Sequence, residues 1–510
     1  MSRTSAGLTI AVVAALSVAA GPARAQVVTD DKPISDRVHV LTIKTDAFAE
    51  PTNVDVFLPT GYDADPGRRW PVTYVLAGTM NNYDSFRKVL KGPDLTASYP
   101  SLIVSPDGNS GYWSDWYNDG AFGPPEYETF VIDQLIPLID ARYRTAADRA
   151  HRLVVGVSMG GYGAVMFAAR HPDLFSAVSS ISGADDSNLP YLGAALSASS
   201  TFDGGSADAI YGPRATQEIR WRGHNPVDLA ENLRDVDVQV RTANGMPAPE
   251  IGENPAGADG ASCVIEQGVY QGSISLHNRL GAIGKRHLYK DYGNGCHTPP
   301  NFKRQTIDTL AAFTKLLAAP LPAPQTFDYK SMEPRFDIWG WHIVADKGRA
   351  LEFLHAAGSA NRLKLTGSGR TTVSRAYPGL TLVDIDGVPT AVAGGRLTTT
   401  LDLGAPDATQ QYTTGAPAPV TTTKEVVLAP HAVIRLSRVA RVRSGVRVCA
   451  HVLGGAVPRA RFSIGGRART VALGRRVRCL VLASTHPGTV EVRGRDRFGH
   501  RVTAAKRVAR

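Results

Sequence analysis

The chain has 510 residues, is 43 % hydrophobic and 20 % charged, and carries a net charge of +10. That length is too great for one ordinary core and fits two to four domains, and the composition excludes disordered and fibrous classes. The charge is local: residues 435–510 hold 19 Arg or Lys against two acids, Glu491 and Asp496, so that end carries +17 and the rest of the chain −7.

In chain order, Arg3, the apolar stretch 8–20 and Ala23-Arg24-Ala25 have the layout of a secretory signal peptide over 1–25, with a mature start near Gln26. No later stretch reads as membrane-spanning. The expectation is a secreted protein, held in the medium or at the cell envelope. Four cysteines suit that compartment. Cys263 and Cys296 fall in one segment and Cys449 and Cys479 in another, which predicts those two disulfides. A four-thiolate metal site lacks the CxxC spacing it would need.

Residues 38–43 and 54–58 alternate like antiparallel strands, while 71–76 and 101–104 are continuous apolar runs of buried-strand length. Residues 128–143 have helical spacing. A strand over 153–156 leads into a helix that stops at His171-Pro172. Strands follow over 175–181, 236–242 and 286–289, a helix-like segment covers 263–280, and a closing helix covers 301–317. Strand and helix in alternation predict an α/β fold, a mostly parallel sheet with helices on both faces, spanning 26–318. A proline-rich linker occupies 319–327. Residues 328–432 read as a β-rich domain with one helix near 347–356. Residues 433–510 read as a small basic β-sandwich.

Gly156-Val157-Ser158-Met159-Gly160 sits between the strand over 153–156 and the helix after it. A GxSxG motif in that setting is a nucleophile elbow, and it identifies the fold as an α/β-hydrolase. Glycines flanking Ser158 let neighbouring elements approach, so Oγ projects above the sheet. The histidine of this fold follows the last strand, which selects His297 over His171, His224, His277 and His287. The acid must lie between 158 and 297, and Glu250, Glu253, Asp259 and Glu266 all remain open. Asp185 and Asp186 lie in a less usual place. The oxyanion amides are expected from Met159 and from Thr79, in the loop after the strand over 71–76. Such chemistry calls for an acyl ester donor, a hydroxyl acceptor and no cofactor or metal.

Tyr112-Trp113-Ser114-Asp115-Trp116-Tyr117, Glu128-Thr129-Phe130 opening a helix, the elbow itself and Asn244-Gly245-Met246-Pro247 together resemble the bacterial mycolyltransferases of the antigen 85 family. The likeness runs over roughly residues 40–318. It implies a serine esterase or acyltransferase with Glu266 as the acid and Glu250 as runner-up. It also gives the Cys263–Cys296 bridge a meaning, as a clamp between the acid-bearing segment and the base-bearing loop. The family carries an acidic residue and an arginine on the oxyanion loop that help bind the sugar acceptor. Ala77 and Met80 stand there instead.

The basic end places Arg441 with Arg443, and Arg459 with Arg461, on single strand faces. The partner expected for it is an anionic envelope polymer or lipid rather than nucleic acid. The rival reading of the whole chain is a non-catalytic envelope-binding protein on a hydrolase scaffold.

Overall fold

A computed structural model describes residues 26–254, 259–484, 487–497 and 499–508. The segment 1–25, for which a signal peptide is expected, therefore lies outside the described residues.

The first strand, β1 (Gln26–Ser35), is polar and was not expected from the pattern. It runs antiparallel to β2 (Val38–Thr45), where Asp31 pairs with His39 and with Arg142. Next come β3 (Thr52–Phe57) and β4 (Val72–Leu76), the short turns α1 (Ser85–Lys88) and α2 (Gly92–Leu95), and β5 (Leu102–Pro106). Helical turns α3 (Tyr127–Thr129) and α4 (Ile136–Arg142) lead to β6 (Arg152–Val157), α5 (Met159–Arg170) and β7 (Ala177–Ile181). Two outer helices, α6 (Pro190–Ser199) and α7 (Arg214–Arg222), precede β8 (Asp237–Thr242). The fold closes with α8 (Asp259–Ala282), β9 (Leu288–Asp291) and α9 (Pro299–Ala318).

The sheet order is β1-β2-β3-β5-β4-β6-β7-β8-β9. It is antiparallel from β1 to β5 and parallel from β5 to β9. Every residue of β4, β5 and β7 is buried, as strands covered on both faces must be. One core includes Tyr74, Val154 and Phe167 on one side of the sheet; another includes Val75, Ile103 and Phe313 on the other. This is the α/β-hydrolase architecture that the strand–helix alternation predicts.

Beyond residue 318 the strands among the described residues all pair antiparallel. The strands from β10 (Thr326–Ser331) to β19 (Thr422–Pro430) form sheets of six and four strands around Trp341, Leu363 and Val426. The expected helix near 347–356 is absent: Asp346 turns the chain by accepting from the Gly348 and Arg370 amides. Residues 354–359 then form β13 (Leu354–Ser359), paired with β10 and with β14 (Arg362–Gly367). Leu354 and Ala356 are buried and His355 is exposed, a period of two that the non-local ladder selects. The strands from β20 (Ala432–Val442) to β26 (Arg501–Val508) form sheets of three and four strands around Val448, Phe462 and Val490. Cys449 and Cys479 are directly opposite and disulfide-bonded.

Candidate active site

Ser158 occupies the turn between β6 and α5 with φ 60° and ψ −121°, a conformation L-residues seldom adopt. Its amide donates to the Ile181 carbonyl at 2.9 Å, and its own carbonyl accepts from Tyr162 and Ala184. The glycines around it are sterically required. A Cβ on Gly156 would lie 1.9 Å from the Gly160 carbonyl oxygen, and one on Gly160 would lie 2.0 Å from that of Leu76. The elbow thus closes on itself and on β4.

His297 lies on the loop between β9 and α9. That loop is held from several directions. Cys296 is disulfide-bonded to Cys263 near the start of α8, and the His297 amide donates to the Ser262 carbonyl at 3.0 Å. Buried Glu253 accepts from the Cys296 amide at 2.9 Å and from the Thr298 hydroxyl at 2.5 Å. Phe302 meets the imidazole edge-on at 4.8 Å.

Glu266, one turn after Cys263 on α8, is fully buried, and its Oε2 is 2.6 Å from His297 Nδ1. Its other oxygen accepts from the Ser182 hydroxyl at 2.6 Å and from the Ala243 amide at 3.0 Å. Gln305 on α9 donates to Ser182 at 2.9 Å. The carboxylate is thereby oriented by groups from β7, β8 and α9. Ser158 and His297 both line one cavity of about 890 Å³. With Nδ1 turned to Glu266, Nε2 is the imidazole nitrogen left for that cavity.

The other acids sit elsewhere. Glu250 is exposed in a short turn at Pro249–Ile251, and Glu253 is committed to the loop. The side chain of Asp259 lies outside the described residues. Asp185 is buried against Ser180, and burial pushes its carboxyl up to about 7. Among the histidines, His171 contacts Glu128, His224 stacks on Tyr211, and His277 and His287 face each other. Burial holds His224 down at about 4.

Met159 is the first residue of α5, where an amide has no helical acceptor one turn earlier and the helix dipole is positive. Thr79 lies in the turn closed by the Asn81 amide on the Gly78 carbonyl at 3.2 Å, and a Cβ on Gly78 would sit 3.2 Å from Ser158 Cβ. The segment 110–113 braces this turn. Ser110 Oγ accepts from the Met80 amide at 3.4 Å, and Trp113 Nε1 donates to the Ala77 carbonyl at 3.3 Å. Trp113 also packs on α5, where a Cβ on Gly163 would lie 2.3 Å from its ring. Sequence reasoning missed Ser182, Gln305, the part played by Trp113 and the role of Glu253 as an anchor of the His297 loop. Glu253 was visible only as one of four carboxylates in the right interval. Among the described residues, no group of three or more His, Cys, Asp or Glu is arranged to hold a metal.

The sequence signature of the Esterase family matches residues 45–313. The chain is 31 % identical to Esterase Rv1288 of Mycobacterium tuberculosis over 291 residues, 56 % of this chain and 61 % of that protein. It thus spans about three fifths of that relative's length. It is 26 % identical to the diacylglycerol acyltransferase/mycolyltransferase Ag85B of Mycobacterium avium over 244 residues, 46 % of this chain and 71 % of that protein. Among solved structures it is similar to Mycobacterium tuberculosis MPT51 at 19 % identity and a TM-score of 0.46, covering 56 % of this chain and all of that one.

Proposed function

This chain belongs to the Esterase family, and from that membership we propose an exported serine esterase or acyltransferase that works through an acyl-enzyme on Ser158. His297 Nε2 takes the Ser158 Oγ proton as Oγ attacks the ester carbonyl. Glu266 fixes the imidazole tautomer and stabilises the imidazolium. The Met159 and Thr79 amides receive the oxyanion. The alcohol leaves with the proton from His297, and water or a sugar or lipid hydroxyl then takes the acyl group by the same steps in reverse. The observation that carries this reading is the 2.6 Å contact between His297 Nδ1 and fully buried Glu266, with His297 and Ser158 on the wall of one cavity.

Two disulfides support the extracellular reading, and among the described residues no helix is long and apolar enough to cross a membrane. The unit over 26–318 carries the chemistry in this proposal. The β-units over 328–432 and 433–510 follow the linker at 319–327, and the last of them holds the enzyme to an anionic envelope component.

A fluorophosphonate probe tests the mechanism. It is expected to label the wild-type chain and not Ser158→Ala. Well-folded wild type that resists the probe and hydrolyses no p-nitrophenyl ester would overturn the proposal in favour of a non-catalytic binder. Product analysis with and without sugar acceptors then separates hydrolase from transferase.

A further inference from the structure

The cavity that Ser158 and His297 share contains no Asp, Glu, Lys or Arg among the described residues on its walls. Val75, Phe86, Val89, Leu90 and Phe302 give its wall an apolar surface. The exposed amide side chains on its walls are neutral: Asn81, Gln267 and Gln271. Charged residues do lie close by in sequence, but they are turned away and paired. On α1, Phe86 faces in while Arg87 binds Asp55 at 2.7 Å and Lys88 binds Asp84. Glu266 and Glu253 are buried behind the wall with their oxygens already occupied. On the oxyanion loop the lining positions 77 and 80 are Ala and Met, so that loop offers no charge either.

We infer that this site takes esters that are uncharged on both the acyl and the alkoxy side and rejects those bearing a carboxylate, phosphate or ammonium group. An ion carried in among those apolar side chains, where no countercharge stands, loses hydration that nothing there replaces. A neutral hydroxyl loses little, because Asn81, Gln267 and Gln271 can donate to it and accept from it. This inference rests on the acyl chemistry proposed for Ser158 and narrows it to one chemical class of donor and acceptor.

The test uses the full chain and three esters of matched length: p-nitrophenyl hexanoate, mono-p-nitrophenyl adipate with its free carboxylate, and the methyl ester of that adipate. At neutral pH the carboxylate ester is expected to show kcat/KM at least ~100-fold below the hexanoate, with the methyl ester restoring most of the loss. Carboxylate and hexanoate esters turned over within ten-fold of each other would overturn the inference. So would a methyl ester as poor as the carboxylate, since shape and not charge would then decide. A hexanoate that is not turned over, with no fluorophosphonate labelling of Ser158, would instead remove the underlying mechanism.

Discussion

Trp113 joins the two proposed oxyanion donors without itself lining the cavity. It is fully buried and adopts φ 58°, a costly backbone for a bulky side chain. Its indole N–H holds the Ala77 carbonyl while its ring fills the space left by Gly163 on α5. Both proposed oxyanion donors, Thr79 on the loop and Met159 on the helix, are therefore braced by one side chain. Trp113→Phe keeps most of the ring and removes the N–H. It is expected to lower kcat and the rate of fluorophosphonate labelling by about ten-fold with KM unchanged, less than outright loss of an oxyanion donor because the loop is displaced rather than deleted. Trp221→Phe is the matched control, because buried Trp221 donates its indole N–H to the Gly212 carbonyl, outside both the oxyanion loop and the segment 110–113. It should cost melting temperature and spare kcat. Equal kcat losses in the two variants would assign Trp113 to stability alone.

At the level of elements, α8 is the critical piece, because it carries Glu266 and is tied to the His297 loop by Cys263–Cys296. Closing a loop with a sequence separation of 33 is worth about 3–4 kcal/mol in the chain-entropy account, and here it also ties the helix that bears Glu266 to the His297 loop. Cys263→Ser with Cys296→Ser is expected to lower kcat about ten-fold and to lower melting temperature, whereas Cys449→Ala with Cys479→Ala lowers stability of the last β-unit and leaves kcat unchanged. Unchanged turnover after reduction, with mass spectrometry showing the first bridge broken, would remove the clamp. The same elements show what the sequence could convey. The elbow was legible because its steric demands are local: Gly156, Ser158 and Gly160 stand within five residues, between a buried strand and a helix. The acid was not, because Glu266 stands 108 positions after Ser158, and the packing of α8 against Ser182, Ala243 and His297 is what distinguishes it from Glu250. The family resemblance, not the spacing, pointed to it. Strand β1 escaped notice because its polar sequence pairs with β2 through the backbone, and the helix over 347–356 was misread because its apolar spacing serves two sheet neighbours.

Across the whole molecule, the β-rich unit docks at the end of α5 away from Ser158, about 18 Å along a 12-residue helix. Arg170 there binds Glu128 at 2.7 Å and Glu333 at 2.8 Å, Tyr329 donates to the Arg170 carbonyl, and Asn232 exchanges hydrogen bonds with Lys330. The unit that follows the linker is therefore fastened to the hydrolase without covering its cavity. The basic end has a strand register that bears on the anionic partner proposed for it. In the sheet of β22 (Arg459–Ile464), β25 (Gly488–Arg495) and β26, Arg461 pairs with Arg493 and Arg495 with Arg501. Alternation adds Arg459 and Arg507 to the same exposed face, opposite the buried Phe462 and Val492. Like charges directly across a ladder destabilise a sheet, and among the described residues of this face Glu491 is the one acid that offsets them. A polyanion laid across the strands would turn that repulsion into attraction. Replacing Arg459, Arg461, Arg493, Arg495, Arg501 and Arg507 by Gln is expected to abolish retention on a polyphosphate matrix at low salt and to raise the unfolding temperature of the unit, with ester hydrolysis unchanged. The wild-type chain should elute with rising salt as counterions return, the slope falling by about one for each arginine contact removed. Retention that survives all six substitutions, or a wild-type chain that never binds, would leave the arginines as a solvated surface.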